Sequence, residues 1–337
     1  MQIKRINLAL QGGGAHGAYT WGVLDRLLDD ERIEVEAISG TSAGAMNAAV
    51  FADGMGRGGR DEARRSLDAF WTNISQAAQG GPLQPTPFDR FASGWNLDHS
   101  AAFVAFDMLT RMLSPYQLNP LNLNPLRGAL VKSVDFERLE GCRAVKLFIS
   151  ATNVKTGKVR VFKSGEITPD VLLASACLPF LFQAVTIDGE SYWDGGYMGN
   201  PAIFPLIYGA ETPDVVIVQI NPLGCDRVPT TATEIMNRVN EISFNSSLMR
   251  EMRAISFVTD LIDAGKLDAN NYKRINVHWI EAEKHMKGLG VSSKLNARMD
   301  FLLHLKAIGR QAAEGWLDAN FDSIGRRSTI DIMEKFL

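Results

Sequence analysis

Short apolar runs alternate with stretches of helical spacing in the first part of the chain. Residues 6–10 are apolar with one exception, which is typical of a strand buried on both faces, and residues 35–39 predict a second strand. Residues 17–30 carry an apolar stripe at helical spacing, and the small residues of 42–54 predict a second helix that ends near its last glycine. This order predicts parallel strands joined by right-handed crossovers, and therefore an α/β fold.

A helix and a less regular region follow. Residues 60–79 predict another helix, whereas residues 80–133 contain several prolines and predict an irregular insertion suited to a cap or lid. Within the insertion, residues 101–113 form one apolar helix candidate. Its polar interruptions fit an amphipathic helix on the core or at a membrane, and packing against the core is the favoured interpretation.

Strand patterns then return. Residues 145–162 predict two antiparallel strands, and residues 168–178 predict a helix with a proline in its first turn. The Asp188-Gly189 pair is a strong turn signal within a hairpin over 184–196. Residues 214–220 predict another buried strand.

The pattern of the last third is mostly helical, with one predicted strand at 274–281. An apolar stripe over 239–262 predicts a cover over one edge of the sheet, with a dimer contact left open. We therefore divide the chain into a main α/β unit at 1–230, which contains the insertion at 80–133, and a mostly helical extension at 231–337 packed on the same domain.

Composition and charge exclude several classes of protein. With 46% hydrophobic residues the chain can bury a large core, and a net charge of −3 gives no sign of nucleic-acid binding. The three cysteines lack the spacing of metal ligands and fit reduced thiols in a cytosolic protein. No apolar run is long enough for a signal peptide or a membrane span, so a cytoplasmic location is expected, and secretion by another route stays open.

The loop after the first strand has two interpretations. Gly12, Gly14 and Gly17 satisfy G-x-G-x-x-G, the spacing of a dinucleotide-binding loop. The same geometry also directs backbone N–H groups at the oxyanion of an acyl-transfer reaction. A dinucleotide-binding domain needs an acidic residue at the end of its second strand, and Glu36 lies near the start of that strand. An oxidoreductase that uses NAD or FAD is therefore the weaker interpretation.

The second strand ends in a serine motif. Ser42 is the centre of G-x-S-x-G, between Gly40 and Gly44. In such a strand-to-helix turn the serine hydroxyl stands clear of the sheet, and the helix N-terminus places unpaired N–H groups beside it. A tight turn with a capping serine is the alternative, but the strand before and the small-residue helix after favour a nucleophile.

A nucleophilic serine needs a base, and two kinds of candidate follow it. Four histidines lie on predicted helices or a strand rather than in loops typical of a catalytic triad. They are His99, His278, His285 and His304. Asp194 ends a strand and precedes Gly195 and Gly196, which allow close approach of the backbone. An ordinary Asp-Gly turn is the alternative, but in a desolvated pocket beside Ser42 the pKa of this carboxylate would rise and make it a stronger base.

Three motifs in this order resemble those of the patatin-like phospholipases. They are the glycine-rich loop at 12–17, the G-x-S-x-G motif at 40–44 and the D-G-G motif at 194–196, and the Asn200-Pro201 pair also resembles this family. The resemblance covers residues 5–222. It implies a three-layer α/β/α patatin-like fold with a mainly parallel central sheet and a helical C-terminal region.

The resemblance also implies an acyl-ester hydrolase that needs no metal or organic cofactor. Ser42 would be the nucleophile and Asp194 the general base, without a histidine. The oxyanion hole would be formed by the N–H groups of Gly12, Gly13 and Gly14. The supporting residues of the motifs would be Gly40, Ala43, Gly44, Gly195 and Gly196.

One residue departs from the family pattern. The glycine-rich loop of the family often carries Arg or Lys where this chain has His16. A neutral imidazole gives less charge to the oxyanion than a cation, so the N–H groups of Gly13 and Gly14 remain the expected donors. For His16 itself we expect a local structural role.

The implied substrate is a lipid or another acyl ester. Contact with a membrane surface and formation of a homodimer stay open, and so does acyl transfer to an alcohol instead of water. Three other functions remain as alternatives: a conventional serine esterase that uses Ser42, Asp194 and His278, a non-catalytic lipid-binding protein, and the weaker dinucleotide-binding oxidoreductase.

Overall fold

The computed structural model describes residues 3–79, 94–98, 100–268, 271–286 and 288–336. Within these ranges, eight strands form one mixed sheet. The strands are β1 (Lys4–Leu10), β2 (Ile33–Gly40), β3 (Lys146–Asn153), β4 (Val159–Lys163), β5 (Val185–Ile187), β6 (Glu190–Asp194), β7 (Asp214–Gln219) and β8 (Asn276–Glu281). Their order across the sheet is β5-β6-β3-β2-β1-β7-β8, and β4 also pairs with β3.

Most of the sheet is parallel. β3, β2, β1, β7 and β8 pair in parallel, whereas β4, β6 and β5 form antiparallel pairs on one side. The predicted α/β fold with a mainly parallel sheet is therefore confirmed. The predicted hairpin also forms, since Asp188 and Gly189 adopt positive φ angles of 50° and 79° between β5 and β6.

Helices connect and cover the strands. They are α1 (Gly17–Asp29), α2 (Ala43–Gln79), α3 (Ala101–Met112), α4 (Pro115–Leu118), α5 (Pro125–Ser133), α6 (Phe136–Glu140), α7 (Pro169–Ser175), α8 (Phe204–Gly209), α9 (Ala232–Asp263), α10 (Glu283–Met286), α11 (Met299–Asn320) and α12 (Ile332–Phe336). α2 is kinked at Gly58 and Gly59, so the predicted end near Gly54 is wrong by about one helical turn. Gly54 instead allows the two halves of α2 to approach each other, because a Cβ atom there would overlap Ala63.

Helices lie on both faces of the sheet, which gives three layers. Alternate residues of the central strands point to opposite faces. Leu8 and Leu10 join the core beneath α1, α2 and α11, whereas Ala9 joins the core beneath α8 and α9. Because both faces are covered, these strands are apolar on both sides.

The C-terminal part of the chain belongs to the same sheet. β8 pairs in parallel with β7, and α11 packs closely on α1 at Gly22 and Gly309, where a Cβ atom would overlap the main chain of the opposite helix. The prediction of a helical cover over one sheet edge is wrong in one respect. β8 itself forms that edge, and α9 and α11 cover the faces.

α3 lies on the surface. None of its residues is buried, and Met108 and Met112 are 62% and 82% exposed. The favoured interpretation of packing against the core is therefore wrong, because other helices already cover both faces of the sheet. The described part of the insertion at 80–133 is mostly helical, and residues 80–93 and 99 lie outside the described residues. In the described ranges, no helix is both long and apolar enough to cross a membrane.

Candidate active site

Three neighbouring strands bring Ser42 and Asp194 to the same end of the parallel strands. β3 lies between β2 and β6, with Gly40 of β2 opposite Ile149 and Asp194 of β6 opposite Ala151. Ser42 follows Gly40 by two residues, and Ala151, the partner of Asp194, follows Ile149 by two residues. Ser42 and Asp194 therefore lie at the same level along the strands, on opposite sides of β3. This is the carboxyl edge of the parallel strands, where α/β sheets bind ligands.

Ser42 lies in a tight turn between β2 and α2. Its φ angle is +54°, a left-handed conformation that costs a non-glycine residue about 1 kcal/mol or more. Its N–H donates to the hydroxyl oxygen of Ser175 at 2.9 Å. A Cβ atom at Gly40 would lie 2.7 Å from the Gly44 carbonyl oxygen, so the turn accepts no larger residue. α2 begins at Ala43, and the positive end of its dipole therefore adjoins Ser42.

Asp194 is a buried carboxylate with few partners. It is 1% exposed, and its Oδ1 atom accepts a hydrogen bond from the Gly196 N–H at 2.7 Å. Burial raises the pKa of Asp194 to about 7, against the lowering effect of the Gly196 N–H, the Ser42 hydroxyl and the Lys294 charge. Its Oδ2 atom forms no hydrogen bond of regular geometry within the described residues. The Ser42 hydroxyl thus approaches the carboxyl loosely, as is common in catalytic sites before substrate binds.

The two glycines after Asp194 are required by close packing. A Cβ atom at Gly195 would overlap the carbonyl oxygen of Ser150, and one at Gly196 would overlap the ring of Phe244. The glycines form a short 3₁₀ turn whose N–H group holds Oδ1. The turn therefore fixes the orientation of the carboxylate.

The glycine-rich loop lies against the serine turn. A Cβ atom at Gly12 would be 2.7 Å from the Cβ atom of Ser42. The Gly12 N–H donates to Asn200 Oδ1 at 2.7 Å, so it is engaged and is not available to an oxyanion. Within the described part of the chain, the N–H groups of Gly13 and Gly14 donate to no other residue. Only these two of the three predicted donors are therefore available.

His16 is a neutral side chain held inside the protein. Its Nε2 atom is 2.8 Å from Ser293 Oγ, which itself donates to the Gly290 carbonyl oxygen at 2.7 Å. The hydroxyl must then accept from the imidazole, which assigns the proton to Nε2. Burial, together with the charge of Lys294, lowers the pKa of His16 to about 3. The ring carries no charge at neutral pH and joins the loop to the Ser293 turn.

Lys294 is a largely buried cation near this site, and no sequence motif reveals it. It lies in a 3₁₀ turn at Val291–Leu295, and its Nζ atom donates to Asn221 Oδ1 at 2.8 Å. Burial lowers the pKa of Lys294 to about 8, while Glu241 and Asp194 favour its charged form. A lone lysine between two helices has no recognisable spacing, so only the fold brings it close to Asp194.

Buried amides hold the glycine-rich loop in place. Gln11 Oε1 accepts from the N–H groups of Ile220 and Asn221, both at 2.9 Å, and Gln11 Nε2 donates to the Asn200 carbonyl oxygen at 3.1 Å. Asn221 Nδ2 donates to the Gly12 carbonyl oxygen at 2.9 Å. These bonds join the ends of β1 and β7 beneath the loop.

An apolar cavity of about 610 Å³ lies near the end of β6. Its lining includes Trp193 and Tyr197, which flank Asp194 in sequence, together with Phe180 and, at the end of α3, Met112. Neither Ser42 nor Asp194 is among its lining residues. The cavity therefore reaches residues that neighbour Asp194 in sequence.

His278 forms no triad with Ser42. It is buried on β8, which β7 and β1 separate from β2. Its Nε2 atom is 2.8 Å from Asp214 Oδ1 and its Nδ1 atom is 3.2 Å from Thr329 Oγ1. Both ring nitrogens therefore have partners on the far side of the sheet.

His285 and His304 also lack a catalytic arrangement. His285 is exposed, His304 stacks on Trp95 at 5.6 Å, and His99 lies outside the described residues. Among the described residues, no group of three or more His, Cys, Asp or Glu side chains is placed to hold a metal ion. The site described above consists of serine, aspartate, lysine, amides and backbone groups.

Comparisons relate the chain to known proteins. A sequence model of the family described as Patatin-like phospholipase matches residues 8–207, more than half of the chain. A comparison with curated protein sequences gave no match. VipD from Legionella pneumophila has a similar structure, with a TM-score of 0.43 and 16% identity over 94% of this chain and 67% of VipD. ExoU, from the type III secretion system of Pseudomonas aeruginosa, has a TM-score of 0.34 and 16% identity over 93% of this chain, which spans 53% of the ExoU chain.

Proposed function

The chain belongs to the patatin-like phospholipase family, and from this premise we propose that Ser42 and Asp194 form its catalytic pair for the hydrolysis of lipid esters. Family membership gives the general activity, and the two residue roles are the proposal. The observation that carries it is a buried carboxylate beside Ser42, with a pKa raised by burial to about 7. Such a carboxylate is a stronger base than an exposed aspartate and is still ionised in part at neutral pH.

In the proposed reaction, Asp194 removes the proton of the Ser42 hydroxyl as the oxygen attacks the ester carbonyl. The N–H groups of Gly13 and Gly14 bind the oxyanion that forms. The tetrahedral intermediate then breaks its C–O bond, and Asp194 returns the proton to the departing alcohol. Finally, Asp194 removes a proton from water, which attacks the acyl-enzyme. As the second tetrahedral intermediate breaks its bond to the Ser42 oxygen, Asp194 returns the proton to that oxygen and the carboxylic acid is released.

The apolar cavity supports a lipid as the substrate. Its volume of about 610 Å³ is in the range of sites that bury a small hydrophobic ligand. The aromatic side chains of Trp193 and Phe180 and the thioether of Met112 line it. We assign this cavity to the acyl chain or to the apolar part of the leaving group.

We further propose that an apolar surface that adjoins this cavity at Met112 contacts a lipid bilayer. This surface, the apolar rim, consists of the exposed side chains of Val104, Met108, Leu109 and Met112 on α3 and of Ile235, Met236, Val239 and Ile242 on α9. Arg111 of α3 reaches the sulfur of Met236, so the two helices adjoin each other. A bilayer suits this surface because Met112, which belongs to it, also lines the cavity, and the family acts on lipids.

Sedimentation with phosphatidylcholine vesicles tests this contact. The double variant Met108→Asp and Met112→Asp should bind vesicles at least about fivefold less, because two charges enter the apolar surface. Tyr208→Asp, an equally exposed site on α8 outside the rim, should bind as the wild type does. Unchanged binding of the double variant would contradict the bilayer contact. A wild-type dimer that the double variant converts to a monomer in light scattering would instead identify the rim as a homodimer contact.

Release of fatty acid from phosphatidylcholine vesicles tests the reaction. Ser42→Ala and Asp194→Asn should both lose activity, whereas Ser66→Ala, a buried serine on α2 away from the site, should retain it. Activity in Ser42→Ala would contradict the proposal. Loss of activity in His278→Gln with the fold intact would indicate a conventional triad. A wild type that binds vesicles and releases no fatty acid would be a lipid-binding protein.

A further inference from the structure

One buried amide connects Lys294 to the glycine-rich loop. The Lys294 Nζ atom donates to Asn221 Oδ1 at 2.8 Å, and Asn221 Nδ2 donates to the Gly12 carbonyl oxygen at 2.9 Å. Both neighbours fix the orientation of the amide, because a flipped amide would place its oxygen against the carbonyl and its NH₂ group against the ammonium. A directed chain of hydrogen bonds therefore runs from a cation to a peptide carbonyl.

This carbonyl belongs to the same peptide group as the Gly13 N–H. Resonance couples the two halves of a peptide group, so polarising the C=O also polarises the N–H. Hydrogen bonds in a chain strengthen one another, especially where little water is present. The charge of Lys294 thus makes the Gly13 N–H a stronger donor.

We propose that Lys294 is a positioning residue for the oxyanion site, acting through Asn221 and the Gly12 carbonyl to strengthen the Gly13 N–H. The inference rests on the proposed function, in which this N–H binds the oxyanion. A donor in such a site contributes about 100-fold or more to the rate. If Lys294 supplies about tenfold of this contribution, its loss is measurable.

The turn that carries Lys294 is attached to the loop at two further points. A Cβ atom at Gly14 would lie 2.5 Å from the Lys294 carbonyl oxygen, and His16 bonds to Ser293, the preceding residue. The ammonium therefore has a fixed position relative to the loop. The imidazole of His16, within the loop, is neutral. The positive charge near the glycine-rich loop is therefore that of Lys294, which belongs to a separate segment of the chain.

Charged and titratable groups from several elements face Lys294 and Asp194. Burial lowers the pKa of Lys294 to about 8, and Glu241 of α9 and Asp194 at the end of β6 oppose this change. Burial also raises the pKa of Cys177 and of Tyr197, both beside Asp194, to about 12. Neither side chain is ionised at neutral pH, so Lys294 is the group that titrates just above Asp194.

The pH dependence of kcat/KM for a soluble p-nitrophenyl ester tests the proposal. Wild-type activity should rise as Asp194 ionises and fall above about pH 8 as Lys294 loses its proton. Lys294→Arg should stay within about fivefold of the wild type and lose the fall above pH 8, because arginine stays charged. Lys294→Met should lose at least about tenfold, and its rise should move to higher pH because Asp194 loses a neighbouring positive charge.

Lys306→Met is the matched control, since this lysine on α11 bonds to Asp68 away from the site and its loss should leave the pH profile unchanged. A Lys294→Arg profile that still falls above pH 8 would overturn the proposal, and this result is decisive even if Lys294→Met does not fold. In an Asn221→Ala background, Lys294→Met should lower kcat/KM by less than about a further threefold, because the path is already broken. If the double variant instead loses the product of the two single losses, the path through Asn221 is excluded.

The failure of this inference differs from a failure of the proposed function. Ester hydrolysis that does not depend on Ser42 would contradict the proposed function itself. Hydrolysis that depends on Ser42, with the fall above pH 8 retained in Lys294→Arg, would contradict only the role of Lys294.

Discussion

Two buried aspartates lie near opposite ends of the parallel strands and differ in almost every contact. Asp194 ends β6 at the carboxyl edge of the parallel strands, and Asp214 begins β7 at their amino edge. Each residue is 1% exposed. Both carboxyls are therefore shielded from direct contact with solvent, and their hydrogen-bond donors differ.

Asp214 has many donors. Its Oδ1 atom is 2.8 Å from His278 Nε2, accepts from the Gly325 N–H at 2.8 Å and accepts from Asn276 Nδ2 at 3.2 Å. Burial favours the neutral acid, but these bonds outweigh it and hold the pKa of Asp214 below its ordinary value. The carboxylate therefore stays ionised and anchors the C-terminal segment to the sheet.

Asp194 has one regular donor, the Gly196 N–H, and the effect of burial prevails. Its pKa is raised rather than lowered, and the Ser42 hydroxyl is its neighbour. The comparison teaches that solvent exposure alone does not determine what a carboxylate can do. A buried aspartate with many donors stabilises the fold, whereas one with few donors accepts a proton.

The largest expected effect separates the two residues by activity. Asp194→Asn should lower kcat/KM for an ester at least about 10³-fold, because the amide cannot accept the serine proton. Asp214→Asn should change it less than about threefold in the folded protein, since the residue lies away from the reaction. Steady-state kinetics on both variants measures this difference. Equal losses would mean that Asp194 has no special role.

The second prediction reverses the order for stability. Asp214→Asn should lower the free energy of unfolding by about 3 kcal/mol at pH 7, because it breaks a buried network around His278. Asp194→Asn should not destabilise the fold, since it removes a carboxylate that burial disfavours. Urea denaturation at pH 7 compares the two variants. A stable Asp214→Asn variant would show that this carboxylate is not an anchor.

The third prediction is a smaller effect that depends on pH. Because its folded pKa is raised, Asp194 stabilises the fold fully below its unfolded pKa near 4, and this contribution is lost as the pH rises to about 7. The free energy of unfolding of Asp194→Asn, relative to that of the wild type, should therefore increase by about 2–3 kcal/mol between pH 5 and pH 7.5. Asp214 has the opposite sign, since its contribution is present above its unfolded pKa and is lost at lower pH. Urea denaturation from pH 5 to pH 7.5 checks Asp194, and a constant difference for Asp194→Asn would contradict its raised pKa. Extending the series below about pH 4 checks Asp214.

Local patterns in the sequence predict the parts of the molecule that depend on neighbouring residues. The apolar runs predict the strands, the Asp188-Gly189 pair predicts the hairpin, and the motifs predict candidates at Ser42 and Asp194. The engaged N–H of Gly12 could not be predicted, because its acceptor Asn200 lies far away in sequence.

Long-range contacts explain the remaining differences. Lys294 reaches the site through a turn between two helices, and neither its charge nor its position has a local signal. The exposure of α3 also depends on which other helices cover the sheet, and an apolar helix alone does not reveal this. The sequence pattern predicts β8 as a strand, but its parallel pairing with β7 follows only from the fold.

The most direct test of the account is the rate at which a fluorophosphonate labels Ser42 as the pH changes, with peptide mapping to identify the labelled residue. We predict that the wild type is labelled at Ser42, with a rate that rises through about pH 7 as Asp194 ionises. Asp194→Asn should show a slow rate without this rise, whereas Asp214→Asn should retain it. Labelling of Ser42 at the same rate in wild type and Asp194→Asn would contradict the central claim that Asp194 is the base.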